Sequence, residues 1–547
     1  MKKYLAGAGA LSLAFSITVS GESIPYLDYS QGTKLMVNEI PFFIRGGETG
    51  NSTVSDRAYM GQYWDKLQAM NLNTLVIPAY WELLEPEEGQ FDFSLIDGLI
   101  EDARAHDMHL VFLWFGSWKN SMSCYAPGWV KTDSERFPRA RDAQGNALEI
   151  LSPFSERNLE ADRKAFTAFM EHLKETDHEA NTVLMVQVEN EIGMIPCARD
   201  HSKSADKAFY SPVPESLLQY LAQHKESLMP HLYQLWQSQG FRHEGTWIDV
   251  FGDSDTTEEL FMAWYFAEYV EKIASSGKAA YPLPMYANAA LIRPGYRPGQ
   301  YPAAGPLPHL ADIWRAAAPN LDFIAPDIYF PNFTEWTRAY AESGNPLFIP
   351  EALRSSYASV NALYAFGEHN ALGFSPFGIE SIEDKAGQRL AESYALLEQL
   401  EPLMIQHWGK PSMIGLLKES PEHKREERIR LGDFQLNVTY EESEPPALAD
   451  GVIFHEQRSA PEVKPAGGLV IQTAPNEFIF AGTGLIITFD ALNGETVGIL
   501  SAEEGRFEHG TWVTEVRMNG DQTHQGRHIR LVPGKFSLQK VKIYTYK

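Results

Sequence analysis

At 547 residues the chain has the length for one large domain and a smaller one, or for three of average size. A content of 44% hydrophobic and 12% aromatic residues supplies a substantial core and excludes a largely disordered chain. The formal net charge of -26, with no Lys- or Arg-rich tract, excludes nucleic acid and anionic membrane surfaces as natural partners and suits a neutral ligand such as a sugar.

The opening residues read as an export signal. Lys2 and Lys3 precede an apolar stretch from Leu5 to Val19, and the small Ser20 and Gly21 suit cleavage before Glu22. Residues 1–21 are therefore expected to be a signal peptide, and the mature protein periplasmic or secreted. The apolar run is short for a membrane span, so no membrane insertion is expected once the signal is removed.

Strand-like and helix-like segments then alternate, as parallel βα units do. Phe42 to Gly47 reads as a first strand and Arg57 to Met70 as its helix. Thr74 to Ala79 and His109 to Trp114 are the second and third strands, with a helix from Phe93 to His106 between them. A long connection from Trp118 to about Ser155 is rich in aromatics, which marks a functional loop. A helix from Asn158 to Glu179 leads into the fourth strand, Leu184 onward. Two helical patterns follow, Glu215 to Gln239 and Thr256 to Ser276. Met285 to Ala287, Leu321 to Ala325, Leu347 to Pro350 and Gly373 to Phe377 complete eight strands, and a helix from Lys385 to Gln406 closes the set. Eight units predict a (β/α)8 TIM barrel over residues 22–405, with its chemistry on the loops at the strand C-termini.

Beyond it the texture changes to short alternating runs, among them Phe434 to Tyr440, Gly468 to Thr473, Phe478 to Ala481, Gly484 to Phe489 and Val541 to Tyr546. These predict an all-β sandwich over residues 406–547, with the charged run Glu422 to Arg430 as a solvated segment. What this domain does, and whether the chain forms a homodimer, are left open. Cys124 and Cys197 are the two cysteines, and both a disulfide and two free thiols are compatible with their positions. No Cys/His cluster offers a full ligand set, so neither metal nor cofactor is expected. His524 and His528, spaced four apart but split by Gly526, read as a solvated loop.

Two apolar strands end in carboxylates. Leu184-Met185-Val186-Gln187-Val188 runs into Glu189-Asn190-Glu191, and Pro346-Leu347-Phe348-Ile349-Pro350 into Glu351. Burying a carboxylate is costly unless it is paired or protonated, so such a placement implies chemistry. Two carboxyls about 5–5.5 Å apart are what retaining cleavage of a glycosidic bond requires. Glu191 is assigned as acid/base, expected protonated at rest, and Glu351 as an ionised nucleophile. Tyr329 is expected to donate to Glu351, and Asn190 to a sugar hydroxyl. Glu189 should face the opposite way and serve as support. The alternative for Glu351 is an ion pair with Arg354. Aromatics at the strand ends, including Tyr80 and Trp118, are candidate sugar platforms. Glu48, Glu82, Lys119 and Asn120 are polar groups at the same rim, of which Glu82 and Asn120 join the candidate substrate-binding set.

The segment from Ala79 to Phe93, with Leu113 to Asn120, Gln187 to Gly193 and Pro350-Glu351-Ala352, resembles glycoside hydrolase family 35 over residues 35–400 or so. The tail is similar to the β-rich domain appended in a bacterial branch of that family. The resemblance implies a retaining exo-β-galactosidase acting on a β-galactoside oligo- or polysaccharide, including xyloglucan side chains, with Glu191 and Glu351 as the catalytic pair. The chain departs from the family at Trp81-Glu82 and at Gly116-Ser117-Trp118, where relatives carry Trp-Asn and Ala-Glu-Trp; Glu82 would then replace a lost carboxylate. A barrel glycosidase for mannan, glucan or arabinoside is the alternative enzyme, and a carbohydrate-binding protein without activity the alternative class.

Overall fold

The computed structural model describes residues 24–342, 344–420, 422–441, 464–518 and 520–547; the expected signal peptide at 1–21 lies outside them. Eight parallel strands close into a barrel: β1 (Ile44–Glu48), β2 (Thr74–Tyr80), β3 (His109–Lys119), β4 (Val183–Asn190), β5 (Met285–Ala290), β6 (Phe323–Ile328), β7 (Phe348–Ala352) and β8 (Gly373–Pro376). They pair in sequence order, and β8 closes on β1. Their residues are buried almost without exception, as strands covered on both faces must be, which explains the unbroken apolar runs.

All eight expected strands are present, with shifted ends. Phe42 belongs to a three-stranded antiparallel sheet before the barrel, formed by Tyr26–Asp28, Lys34–Val37 and Ile40–Phe42. β3 runs on to Lys119, and its pairing with β4 slips between Trp114 and Lys119. Two expected helices are each divided. Glu215–Gln223 and Pro230–Ser238 replace one, because Pro230 cannot continue a helix but suits the first turn of a new one. Arg57–Gly61 and Trp64–Ala69 replace the other.

Among the outer helices, α1 (Glu156–Asp177) packs on α2 (Asp255–Ala280), where Gly277 leaves space for the Phe166 ring. The helix α3 (Ala358–His369) follows β7, and α4 (Asp384–His407) ends the barrel. The long connection after β3 contains a short hairpin, Arg139–Arg141 with Ala147–Leu151.

The remainder is two antiparallel sheets. One joins β9 (Met413–Leu417), β12 (Gly467–Ala474), β13 (Glu477–Thr483), β18 (Ser537–Tyr546), β15 (Thr496–Glu508) and β16 (Thr511–Met518); the other joins β10 (Glu426–Leu431), β11 (Phe434–Tyr440), β14 (Leu485–Ala491) and β17 (Ile529–Leu531). Leu436, Val438, Val470, Phe478, Phe480 and Ile487 fill the space between them. Alternate residues of the larger sheet, Leu469, Ile471, Ile479 and Ala481, join the barrel's core instead. The contact is close at Gly367 of α3, where a Cβ would stand 2.7 Å from Leu469. Most of the charged run 422–430, expected as a solvated segment, is the exposed edge strand β10, whose charges guard its unpaired edge. No helix among the described residues is long and apolar enough to cross a membrane. Both cysteine thiols are free, and the His524 and His528 rings stack outside any α-helix.

Candidate active site

The ends of β4 and β7 meet over the barrel mouth. At the end of β4, Glu189 and Glu191 take positive φ values of 63° and 44°, in the left-handed region that side chains other than glycine seldom occupy. The turn is laced to the loop after β3: the Asn120 N–H donates to the Asn190 carbonyl at 3.2 Å and the Ser121 N–H to that of Glu191 at 3.1 Å. The Glu191 N–H donates to Asn288 Oδ1 at 2.9 Å, and the Glu191 carboxylate accepts from Asn120 Nδ2.

On the far side Glu351 pairs in register with Asp327 of β6, and its Oε1 accepts from the Tyr329 hydroxyl. Glu191, Asp327 and Glu351 each present an oxygen within 4.8 Å of the others. That separation lets one sugar ring carbon touch both glutamates. Such spacing also suits a hard cation, but the buried Lys119 ammonium shares this setting and brings positive charge. Arg354, the alternative partner for Glu351, turns instead to the Gly378 carbonyl at 3.1 Å.

Several buried polar atoms here have no hydrogen-bond partner: Asn190 Oδ1 and Nδ2, Glu48 Oε1, Glu351 Oε2 and Asp327 Oδ1. Orphans are rare in a folded core, and the hydroxyls of a polyhydroxylated ligand would satisfy them. Burial first, and the Glu191 charge second, push the Glu351 carboxyl up to about 7, against the pull of Lys119 and Tyr329. At Glu351 desolvation thus outweighs the help that Lys119 and Tyr329 give the ionised form. Burial, then the Glu351 charge, likewise holds Glu48 and Asp327 well above the usual carboxylate range. Burial disfavours the Lys119 cation, yet the surrounding carboxylates, Glu351 foremost, raise it on balance.

The other assigned residues divide into two groups. Asn190, Asn120 and Tyr329 stand in the site. Trp118 does not: it is fully buried with its ring against Phe266 and Tyr269 of α2, and its N–H donates to the Leu151 carbonyl at 3.1 Å. Tyr80 is buried against Phe115 and Tyr125, with its hydroxyl committed to the Asn51 carbonyl at 2.6 Å. Glu82 faces Lys131 at 3.4 Å on the rim, whereas Glu48 is buried close to Glu351. An aromatic just past a strand end can turn inward to the pocket or outward to the helices, and its type alone does not say which.

The structure adds Asp327 and Asn288 to the residues around the catalytic pair. Both are polar residues late in apolar strands, the signal that singled out Glu191, and Asn288 Nδ2 donates to Asp327 Oδ2 at 2.6 Å. Glu189 faces away from the pocket as expected. It accepts from the Trp118 N–H at 2.7 Å and meets Asp162 of α1.

Comparison with known proteins bears on the same region. Residues 55–239 match a glycoside hydrolase family 42 model described as β-galactosidase, and residues 390–530 match a domain of unknown function (DUF5597). A β-galactosidase from Xanthomonas manihotis is 28% identical over 210 residues, which cover 37% of this chain and 32% of that protein. The chain therefore spans about a third of that curated relative. Crystal structures of β-galactosidases from Rahnella sp. R3 and Bacillus circulans sp. alkalophilus overlay with TM-scores of 0.45 and 0.46 at 14% identity, each over 66% of this chain and 57% of theirs. Residues 55–239 thus match the β-galactosidase family model, over about a third of the chain.

Proposed function

We propose that the protein is a retaining exo-β-galactosidase of the family 35 type, exported to the periplasm or the medium, that removes terminal β-D-galactosyl residues from oligo- and polysaccharides such as xyloglucan side chains. The observation that carries this reading is the meeting of Glu191 and Glu351 oxygens within 4.8 Å beside unpartnered polar atoms. The match to the β-galactosidase model supports the choice of sugar.

In this mechanism the ionised Glu351 attacks the anomeric carbon as the bond to the leaving oxygen breaks, and Glu191 gives that oxygen its proton. Glu191 then takes a proton from water, whose oxygen displaces Glu351 and releases galactose with its configuration retained. Turnover by this route needs Glu351 ionised and the transferable proton on Glu191. In this reading Asn190, whose amide atoms have no partner within the protein, binds the hydroxyl beside the reacting carbon.

A panel of nitrophenyl glycosides, with the first-formed anomer followed by NMR, tests the reading. β-Galactoside hydrolysis with initial release of the β-anomer is expected. An initial α-anomer, or preference for β-mannoside, β-glucoside or arabinoside, would overturn it.

A further inference from the structure

We propose that the loop 291–303, which follows β5, is the binding site for a saccharide leaving group, with Tyr296 as its stacking platform. The inference rests on the glycosidase reading above and adds the loop and the side chains that hold the departing sugar.

A cavity of about 500 Å³ opens beside the catalytic pair, within the range of small-molecule sites. Glu191, Asp327 and Tyr329 line it together with Arg293, Tyr296 and Gln300; Glu351 does not. The acid must reach the departing oxygen, whereas the nucleophile approaches the opposite face of the sugar. Space bordered by the acid and not by the nucleophile therefore lies on the leaving-group side.

The loop is fixed at its base and open at its tip. Met194 and Ala303 exchange backbone hydrogen bonds of 2.8 and 3.0 Å, and the Tyr301 hydroxyl donates to Glu259 at 2.6 Å. Gly299, at φ +88°, passes so close to the Cys197 backbone that a Cβ would stand 2.8 Å from it. At the tip, Tyr296 keeps 44% of its surface exposed, with the Arg293 guanidinium 5.9 Å from its ring centre. A large ring left out of the core, on an anchored loop and facing a cavity, suits a ligand that has both an apolar face and hydrogen-bonding groups. A sugar is such a ligand: its C–H face stacks on Tyr296 while its hydroxyls reach Arg293 and Gln300.

The test compares kcat/KM of the full chain on p-nitrophenyl β-galactoside and on a galactose-terminated oligosaccharide. Tyr296→Ala should lower the oligosaccharide value about tenfold more than the aryl value, and Tyr296→Trp should restore the ratio. Equal losses on both substrates, or no loss on the oligosaccharide, would overturn the assignment while leaving the galactosidase reading intact. A wild-type protein that cleaves neither substrate would end both. Thermal melting of each variant separates a binding defect from a folding defect.

Discussion

Glu189 and Glu191 leave β4 two positions apart, and each meets a second carboxyl, yet the two pairs are finished differently. The inner pair, Glu189 with Asp162, is enclosed by donors. Asp162 accepts from the Trp114 indole at 2.8 Å and from the Ser117 hydroxyl at 2.5 Å and N–H at 3.1 Å, and Tyr269 adds a longer contact. Glu189 Oε1, which has no donor of its own, gains a partner only if one carboxyl keeps a proton; burial, then the Asp162 charge, holds Glu189 well above its usual range. The outer pair, Glu191 with Glu351, has fewer donors, and Glu351 Oε2 has none. Both pairs set two buried carboxyls against each other. One is closed within the protein and holds β3 and β4 against α1; the other is left incomplete for a ligand.

The largest expected effect falls on the outer pair. Glu351→Gln removes the nucleophile, and kcat on p-nitrophenyl β-galactoside should fall by about four orders of magnitude or more. Circular dichroism should show an unchanged fold. Retention of more than about a hundredth of wild-type kcat would refute the assignment.

The same substitution should stabilise the protein, with a definite dependence on pH. Glu351 is raised from 4.5 to about 7 on folding, so between those values the native state binds more protons than the unfolded one. Its stabilising contribution is complete below about pH 4.5 and is lost as pH rises through about 7. Above that, ionised Glu351 costs on the order of 3 kcal/mol. Calorimetry should therefore find Glu351→Gln more stable than wild type at pH 8 and close to it at pH 4.5. A gap that shrinks as pH rises would contradict the sign.

The inner pair should respond in stability before activity. Asp162→Ala strands the Trp114 and Ser117 donors and opens a hole behind β4, so a loss of about 3 kcal/mol in urea unfolding is expected. The folded fraction should keep most of its turnover, because no Asp162 atom reaches the pocket. A stable Asp162→Ala protein without activity would place this pair in the chemistry and erase the distinction.

How far the sequence discloses this arrangement depends on the physics of each part. The barrel strands are legible because strands buried on both faces are continuous apolar runs, and Glu191 and Glu351 because a carboxylate at such a terminus is costly. The slip in β3 is not legible. It makes Gly116-Ser117-Trp118 part of a strand whose side chains turn to α1 and α2; a Cβ on Gly116 would meet the carboxylates of both Asp162 and Glu189 at 2.8 Å. That explains why Trp118 reads as a sugar platform in sequence and serves as packing in the fold. β15 and β16 escape detection because most of their residues are half-exposed and break the alternation that marks β11.

The smallest effect is the sharpest test, because it repeats the glutamate-to-glutamine change two residues from the catalytic acid. In Glu189→Gln the amide oxygen can accept from the Trp118 N–H, as Glu189 Oε2 does at 2.7 Å. The amide nitrogen then takes the place of Oε1 and donates to Asp162, doing permanently what the retained proton does in the native pair. The change removes a titrating group, not a contact, so stability should stay within about 1 kcal/mol of wild type. Turnover should remain within about tenfold, since Glu191 keeps its bonds to Asn120 and Asn288. Glu351→Gln, in an equally buried position, should be inactive. If Glu189→Gln were as dead as Glu351→Gln, burial and donor count would not tell a supporting carboxyl from a reacting one, and the reading of the outer pair would lose its main physical ground.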